Sequence, residues 1–309
     1  MDISFIITPW NCRDLLEATL KSIYNSQTKF TYEAIVYDHG STDGTLEMVE
    51  KDFPQVKLIR GGDVGFAAAN NEGIKLSSGR YVTLLNADTE LSSDTIETMV
   101  SFMDANPKVG ISTGKVVLAV NGKLDKACRR SFPTPWVSFT KFSGLANLFP
   151  KSKLFNQYNL EYLNEDESYQ IDSCVGAFEL IRRETMDQIG LLDDTFYMYG
   201  EDIDWCYRAK QAGWEVWYYP KTTIFHYKGY LSGKQTAKKK HNPRPTWEFH
   251  RAMILFYYKH YVDKYPRMLT WLIQLAIWGR YLLISRFKVY PGASFNGNPN
   301  PYLKKPSIN

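Results

Sequence analysis

The first 90 or so residues alternate short apolar runs with amphipathic stretches, and this alternation restricts the chain to few folds. The apolar runs, typical of strands, are ISFIIT, YEAIVYD, VKLIRG and YVTLLNAD. The stretches between them with helical periodicity are LLEATLKSIYNS, STDGTLEMVEKDF and GFAAANNEGIKLS. Strands that alternate with helices form a mainly parallel sheet with helices on both faces. The sequence therefore predicts an α/β, Rossmann-like fold.

The residues that follow three of these strands are the first candidates for a binding site. In such sheets, ligands bind beyond the carboxyl ends of the strands. The residues that this rule places along one edge are Pro9, Trp10, Asn11, Asn86, Asp88 and the stretch 38–43. No GxGxxG or GxxxxGK[ST] motif occurs at these turns, which argues against dinucleotide and P-loop phosphate sites.

Two of these turns carry acidic residues. DHGSTDGT, residues 38–45, has two acids and two glycines, and a turn followed by a helix N-cap would account for them. LLNADTEL, residues 84–91, places Asp88 where a carboxylate would project from the sheet edge. An Asn-x-Asp at that point suits Mg²⁺ or Mn²⁺, which take oxygen ligands and bridge to phosphate. Because turns are rich in Asn and Asp, this motif alone does not establish a metal site.

A second acidic cluster, Glu201, Asp202 and Asp204, lies in YGEDIDWCYRAKQAGWEVWYYP, residues 199–220. We expect a helix over about residues 202–212 that ends at Gly213. Its expected buried stripe is Ile203, Cys206 and Ala209, and its expected solvent-facing residues are Arg208, Lys210 and Gln211. The helix dipole favours acids in the first turn by about 0.3–1 kcal/mol each. Three carboxylates within four positions also repel one another, so a purely structural interpretation leaves the cluster unexplained.

Charge is unevenly distributed along the 309 residues, whose net charge is +4. Residues 228–309 contain 15 Lys and Arg but two acids, whereas the remainder has 22 basic and 31 acidic residues. A basic tail suits nucleic acid, anionic lipid or solvent, and composition does not choose among them. Residues 268–287, MLTWLIQLAIWGRYLLISRF, approach the length of a membrane span but are interrupted by Gln274 and Arg280. We expect a helix on the membrane surface, with a core helix and a true membrane span as the alternatives.

Taken in order, the motifs resemble the family 2 glycosyltransferases, inverting enzymes of the GT-A fold, and especially their bacterial rhamnosyltransferase type. The segments that carry the resemblance are SFIITPWN, VYDHGSTDGT, GDVGFAAANNEGI, YVTLLNADTEL, VGAFELIRRE, FYMYGEDIDWCYRAKQAGWEVWYYP and IFHYKG. They cover about residues 3–230. The resemblance implies a GT-A nucleotide-sugar-binding and catalytic domain over residues 1–230 and a basic helical extension over residues 231–309.

The resemblance also implies a donor site. Asp38 would hold the uracil or thymine base, while Asn86 and Asp88 would bind the metal and the diphosphate. The full implied donor site is Pro9, Asn11, Asp38, Gly40, Ser41, Asn70, Asn86, Ala87 and Asp88. This chain departs from the family pattern by having Asn86 in place of the first acid of the metal motif, which shifts metal binding towards Asp88. Other departures are Pro9, Trp10 and His39 in the base-binding loops.

For catalysis, the resemblance implies Asp202 as the general base with Glu201 beside it, and His226 as a further ligand of Mg²⁺ or Mn²⁺. Apolar packing and the neighbouring acid would raise the pKa of the base towards the working pH. Two weaker expectations concern contacts with the substrates. Candidates to close over the diphosphate are Arg129, Arg130 and Lys141, and candidates for sugar stacking are Trp205, Trp214 and Trp217, which a core would also explain.

The implied activity is transfer of a sugar, rhamnose favoured, from a dTDP- or UDP-linked donor to a glycan or lipid-linked acceptor in cell-surface polysaccharide synthesis. The four dispersed cysteines and the absence of a secretory leader favour a cytoplasmic protein, here at the inner face of the membrane. One alternative is a sugar nucleotidylyltransferase, although the first loop lacks a Gly-rich, Arg-containing motif. Another is a nucleic-acid binder that uses KQTAKKKHNPRPTWEFHR, but this leaves the acidic residues unexplained. We therefore expect no nucleic-acid partner.

Overall fold

The computed structural model describes residues 1–228, 243–286 and 290. Part of the basic extension, including the lysine-rich part of KQTAKKKHNPRPTWEFHR, lies outside the described residues. The strands are β1 (Ile3–Ile7), β2 (Tyr32–Asp38), β3 (Lys57–Arg60), β4 (Tyr81–Leu85), β5 (Thr89–Leu91), β6 (Val109–Leu118), β7 (Tyr169–Gln170), β8 (Phe178–Arg182) and β9 (Glu215–His226).

Ten α-helices connect or follow these strands in the described part of the chain. They are α1 (Arg13–Tyr24), α2 (Thr45–Asp52), α3 (Phe66–Lys75), α4 (Thr95–Ala105), α5 (Pro135–Phe142), α6 (Leu145–Leu148), α7 (Arg183–Ile189), α8 (Glu201–Gln211), α9 (Arg244–His260) and α10 (Arg267–Ile284). A 3₁₀ turn spans Lys126–Cys128. The four strands and three helices predicted for the first 90 or so residues are all present.

One sheet contains all nine strands in the order β3-β2-β1-β4-β8-β6-β9-β5, with β7 paired to β9. Strands β1 to β4 pair in parallel, and β6 pairs in parallel with β9. Strand β8 runs antiparallel to both β4 and β6, and β5 and β7 run antiparallel to β9. The carboxyl ends of β1, β2, β4, β6 and β9 therefore meet at one edge, as the sequence predicts for the first half.

Burial on both faces explains why the central strands read as continuous apolar runs. Every residue of β1 and β4 is buried, because helices cover both sides of the sheet. Ile6, Leu84 and Ile181 on three neighbouring strands have no exposed surface and belong to one continuous core. This core fixes the strand register and hence the positions of the residues that follow each strand.

Helix α8 is more buried than its sequence predicts. It begins at Glu201 and ends at Gln211, within one residue of the prediction, and Gly213 adopts φ +92°. All residues from 201 to 207 are buried. Trp205 and Cys206 pack in the main core, while Ile203 and Tyr207 pack in a second core cluster that joins α8 to α9. The predicted stripe of Ile203, Cys206 and Ala209 is buried, and Gln211 is exposed, as predicted. The predicted narrowness of the buried face was wrong, as was the solvent exposure of Arg208 and Lys210, which are half-buried and pair with Asp204 and Asp172.

The two C-terminal helices pack on this second cluster. Helix α9 places Ala252, Leu255 and Phe256 against α8, and α10 packs on α9 through a stacked pair, Trp247 and Trp278. The inner face of α10 is buried at Ile277 and Tyr281, while its outer face is exposed. The alternative that residues 268–287 form a core helix is therefore wrong for the outer face of α10. Within the described residues, no helix combines the length and apolar character needed to cross a membrane.

Candidate active site

The loops after β1 and β2 hold one another in place. The amide of Asn11 donates to Ser41 Oγ at 2.8 Å, and the amide of Thr42 donates to Asn11 Oδ1 at 2.8 Å. The His39 amide donates to the Pro9 carbonyl at 3.2 Å. Asn11 adopts φ 48°, which an Asn side chain tolerates when it bonds locally. The predicted donor residues Pro9, Asn11 and Ser41 are thus brought together.

Asp38 is buried at the end of β2 and serves two purposes. Its Oδ1 accepts hydrogen bonds from the amides of Gly40 at 2.8 Å and Ser41 at 2.7 Å, which builds the turn. Gly40 has φ +87°, a conformation that favours glycine. The Oδ2 of Asp38 is buried and has no hydrogen-bond partner among the described residues. The turn interpretation therefore explains one oxygen and leaves the second available to a ligand donor.

Asp88 and His226 meet because β5 pairs with β9 in a register that sets Thr89 opposite His226. His226 Nε2 lies 3.4 Å from Asp88 Oδ1 and 3.5 Å from Asn86 Nδ2, longer than ordinary hydrogen bonds. Asp88 Oδ1 is buried and lacks a bonded partner within the described ranges. A carboxylate, an imidazole and an amide that converge in this way fit a divalent cation.

Asp125 orients His226 from the opposite side of its ring. Its Oδ2 lies 3.1 Å from His226 Nδ1, and both its oxygens accept from Lys228 Nζ at 2.9 Å. Burial opposes ionisation of Asp125, but the His226 contact and the Lys228 ammonium together hold its pKa well below the usual range. Burial also opposes protonation of His226, yet its contacts with Asp125 and Asp88 leave its pKa raised. A carboxylate behind a ligating histidine fixes the ring orientation.

The two acids at the start of α8, Glu201 and Asp202, have different neighbours. Asp202 Oδ2 accepts from Arg130 Nη2 at 2.7 Å in a buried ion pair. Glu201 is equally buried, and its Oε2 finds no partner in the part of the chain that the structure describes. Burial, followed by the charge of Asp202, raises the pKa of Glu201 to about 8. At neutral pH, Glu201 is mostly protonated, and Arg130 compensates the charge of Asp202.

Asp204, the third acid of the cluster, is structural. It has no exposed surface and pairs with Arg208 at 2.8 Å, Lys259 at 2.7 Å and His260 at 2.7 Å. These contacts tie α8 to α9. The crowding of three acids therefore has two causes: one acid anchors the helix, and two face the site.

Arg130 connects the acidic pair to the sheet edge. The sequence instead predicts that Arg130 contacts the donor diphosphate. Its guanidinium bonds to the Cys174 carbonyl as well as to Asp202. Three residues further along, the Ala177 carbonyl accepts from the Asn86 amide at 3.2 Å. The other expected diphosphate contacts are also engaged elsewhere, with Arg129 bonded to the Leu163 and Asn164 carbonyls and Lys141 over the Tyr158 ring.

The remaining candidates take packing positions. Asn70 on α3 is buried and donates to the Phe66 carbonyl at 2.8 Å, and the Ala87 carbonyl accepts from Thr19. Trp205 is fully buried with its Nε1 on the Gly190 carbonyl, so for this residue the core interpretation is right. Trp214 and Trp217 donate to Gln188 and Glu215.

Beneath the site, Cys174 and Cys206 lie side by side with Sγ atoms 3.9 Å apart, although the sequence offers no paired cysteine motif. Cys206 Sγ lies 3.2 Å from Glu179 Oε1. The three side chains are buried, and all four cysteines of the chain are free thiols. Burial, followed by the neighbouring Cys206 and Asp202, raises the pKa of Glu179 well above its ordinary value.

The separate clusters are connected through the sheet. Strand β1 lies between β2 and β4, so Asp38 and the end of β4 are two strand spacings, or about 10 Å, apart. Asp88 follows β4, and Arg130 joins Asp202 to the segment from Cys174 to Ala177, whose last carbonyl accepts from the Asn86 amide. The clusters at Asp38, Asp88 and Asp202 are therefore each tied to the carboxyl ends of β2 and β4.

Comparison with known proteins identifies the family and the fold. The profile described as Glycosyl transferase family 2 matches residues 4–190. The N-acetylglucosaminyl-diphospho-decaprenol L-rhamnosyltransferase of Mycobacterium tuberculosis is 25% identical over 234 residues, 72% of this chain and 75% of that protein. The low-salt glycan biosynthesis hexosyltransferase Agl10 of Haloferax volcanii is 25% identical over 215 residues, 68% of this chain and 62% of that protein.

Two solved structures share the fold. The mannosyltransferase PcManGT of Pyrobaculum calidifontis, in complex with GDP-Man and Mn²⁺, has a TM-score of 0.54 and 16% identity over 93% of this chain and 76% of that one. TarS of S. aureus, in complex with UDP-GlcNAc, has a TM-score of 0.52 and 16% identity over 93% of this chain and 74% of that one. The predicted GT-A fold is thereby confirmed.

Proposed function

Because the chain belongs to glycosyl transferase family 2, we propose that it is a metal-dependent, inverting glycosyltransferase. It transfers a sugar from a nucleoside-diphosphate donor to a glycan or lipid-linked acceptor in cell-surface polysaccharide synthesis. Rhamnose is the favoured sugar, because the M. tuberculosis relative is named as an L-rhamnosyltransferase acting on a diphospho-decaprenol compound.

One observation carries this proposal. Among the described residues, four buried carboxylate oxygens lack a hydrogen-bond partner, and three of them belong to Asp38, Asp88 and Glu201. A buried polar group without a partner costs about 1–3 kcal/mol, so three such oxygens support sites that take hydrogen bonds or a cation from the substrates. A nucleobase N–H, a divalent cation and an acceptor hydroxyl are the three groups that glycosyl transfer would supply.

The nucleobase would bind at Asp38. Uracil and thymine carry an imide N–H that a carboxylate accepts, and the Oδ2 of Asp38 is the oxygen that the turn leaves unused. The clamped loops with Pro9, Asn11 and Ser41 would enclose the base and ribose. This supports a dTDP- or UDP-linked donor.

Mg²⁺ or Mn²⁺ would be held by Asp88 and His226, with Asn86 close by. The donor set of one carboxylate, one imidazole and an adjacent amide fits such an ion, and Asp125 holds the imidazole with Nε2 towards Asp88. When bound, the cation stabilises the negative charge of the departing nucleoside diphosphate. Asp88 and His226 would thereby position the donor diphosphate at the end of β4.

Asp202 would take the proton from the acceptor hydroxyl, and Glu201 would bind that hydroxyl as a neutral carboxylic acid. A base at neutral pH must be ionised, and of the two acids Asp202 is the one with a cationic partner. Glu201, with a pKa of about 8, is a hydrogen-bond donor over most of the working range. Two adjacent carboxyl groups would thus serve two roles.

Residues 1–230 would form the catalytic domain and residues 231–309 an extension that contacts the membrane. A cytoplasmic enzyme at the inner face of the membrane would meet a lipid-linked acceptor there. The exposed apolar face of α10 supports a peripheral contact.

The test is a donor screen with the full chain. We would measure nucleoside diphosphate release and sugar transfer from dTDP-rhamnose, UDP-glucose, UDP-galactose and UDP-galactofuranose, with Mn²⁺ or Mg²⁺ and with EDTA. The proposal expects metal-dependent release from one or two donors. Formation of a nucleotide sugar from a nucleoside triphosphate and a sugar phosphate, or salt-sensitive binding of unrelated oligonucleotides without turnover, would favour the other function classes.

A further inference from the structure

The outer face of α10 is unusually apolar for a surface helix. Met268 is 76% exposed, Trp271 65%, Leu275 57% and Leu283 72%, at spacings that place them on one side of the helix. The opposite side packs on α9 and buries Tyr281. These side chains expose more than half of their surface, and exposed apolar side chains grouped on one helix face mark an interaction surface.

A second exposed apolar segment comes from the long irregular stretch between β6 and β7. Helices α5 and α6 and the turn after them expose Phe139 at 56%, Leu148 at 72%, Phe149 at 50% and Leu154 at 55%. Thr134 caps α5 by accepting from the Val137 amide at 3.3 Å. This segment is ordered by its own contacts while presenting its large apolar side chains to solvent.

The two apolar segments adjoin. The guanidinium of Arg280 on α10 lies over the ring of Phe142 at the end of α5, 4.5 Å from its centroid. Phe142 is itself 41% exposed, so the apolar surface continues from one element to the other. We call the exposed side chains of residues 136–154 and of α10 the docking surface.

Charge identifies the occupant of the docking surface. Residues 136–154 and α10 contain no Asp or Glu. They contain five cations: Lys141, Lys151, Lys153, Arg267 and Arg280. Apolar and aromatic side chains mixed with cations alone match the interface of an anionic bilayer, where acyl chains meet phosphate headgroups. A protein partner would have no comparable need for so uniform a charge.

We propose that α5, α6 and α10 dock together on an anionic phospholipid surface, so that the membrane contact includes the middle of the catalytic domain as well as its C-terminal helix. This rests on the proposed function and deepens it. Arg130, which holds Asp202, precedes α5 by five residues, and Phe132 packs on Tyr207 of α8 at 4.8 Å. The residues that lead into α5 therefore contact both Asp202 and α8, which connects the docking surface to the helix that carries the acidic pair.

The test is sedimentation of the full chain with vesicles of phosphatidylglycerol and phosphatidylcholine, and with vesicles of phosphatidylcholine alone. We expect binding to the anionic vesicles that weakens with salt and weak binding to the neutral ones. The double variant Phe139→Ser/Leu148→Ser should lower the partition coefficient at least tenfold, because two large apolar side chains no longer insert. Lys151→Gln/Lys153→Gln should lower it about fivefold per lysine. Leu76→Ser, which replaces a leucine that is 51% exposed at the end of α3, is the control.

Each outcome decides the proposal. The proposal is overturned if Phe139→Ser/Leu148→Ser and Lys151→Gln/Lys153→Gln bind vesicles like the wild type and only Trp271→Ser loses binding. That result would show a membrane contact through α10 alone. A concentration-dependent dimer in analytical ultracentrifugation that Leu148→Ser abolishes would show that a second copy covers the surface. Donor hydrolysis in detergent-free buffer separates the two proposals, because all these variants should hydrolyse donor like the wild type. Vesicle binding without any donor turnover would refute the glycosyltransferase function alone.

Discussion

Replacing Asp202 by Asn is the perturbation that tests the assignment of the catalytic base. The change keeps the size of the side chain and one oxygen for Arg130, but it removes the negative charge and the proton acceptor. A positioned base contributes about 10²–10⁴ in rate. We therefore expect transfer to fall by this factor, or about 3–5 kcal/mol of activation free energy.

The structure adds a stability cost that must be separated from the rate effect. Asp202 and Arg130 form a buried ion pair at 2.7 Å, and removing one partner of such a pair costs up to about 3–5 kcal/mol. We expect the lower end, because the Asn carbonyl still accepts from Arg130 and Arg130 keeps its bond to the Cys174 carbonyl. A cost of this size lowers Tm by roughly 5–10 °C.

A second variant separates the two effects. In Asp202→Asn/Arg130→Gln, both charges are gone, so the free energy of unfolding should return towards the wild-type value while transfer stays low. Thermal unfolding, donor affinity and transfer rate are measured for both variants and for Glu201→Gln. Recovery of transfer together with stability in the double variant would refute Asp202 as the base, as would a larger rate loss in Glu201→Gln than in Asp202→Asn.

Three further predictions follow from the buried carboxylates. Asp38→Asn should raise the Kd for dTDP or UDP by about 10–100-fold in calorimetry, because the amide N–H₂ would face the imide N–H of the base; an unchanged Kd in a folded variant would leave Asp38 with its turn role only. Asp125→Asn should weaken Mn²⁺ binding by about 10–100-fold, because His226 loses its orienting carboxylate. The control is Asp166→Asn, which replaces an exposed acid paired with Lys115, and this variant should bind Mn²⁺ as tightly as the wild type does. Glu201→Gln should remove a pH dependence of the free energy of unfolding. Between pH 4.5 and about 8, Glu201 is protonated in the folded protein and ionised in the unfolded chain, so the folded protein binds more protons. Wild-type stability therefore falls as pH rises through this window, by up to about 1.4 kcal/mol per pH unit. Unfolding at pH 5.5 and 8.5 checks this, and an equal slope in both proteins would contradict it.

The first half of the fold could be predicted from sequence because its strands are buried on both faces and its helices are short and periodic. The five buried residues of β1 and the predicted α3 illustrate this. Strands β5 and β7 have only three and two residues, too few for a periodic pattern to be visible. They depend on pairing with β9, which only the assembled sheet provides.

For the site, the sequence indicates the residues that follow strands but not their partners. Asp88 and His226 were predicted together only through the family resemblance, since 137 intervening residues separate them in the chain. Asp125 gave no signal, because a carboxylate that orients a histidine from 101 residues away leaves no motif. Arg130 was expected at the diphosphate, and its actual partner, Asp202, is 72 residues further along.

The different fates of the three acids on α8 were also beyond sequence analysis. Asp204 is neutralised by cations from α9, which contributes Lys259 and His260. Glu201 and Asp202 differ by one position, yet only Asp202 reaches Arg130. Such differences arise from tertiary packing, which places a cation beside one carboxylate and apolar groups around the next.

The central claim is that the row of buried carboxylates at the sheet edge binds a metal and a nucleoside diphosphate. The most direct test is an anomalous-scattering map from crystals of the full chain grown with Mn²⁺ and dTDP, recorded above the manganese absorption edge. The account predicts one strong peak in coordination contact with Asp88 Oδ1 and His226 Nε2, with the thymine N–H on Asp38 Oδ2. A manganese peak bound elsewhere, or a nucleotide whose diphosphate lies away from the end of β4, would contradict it.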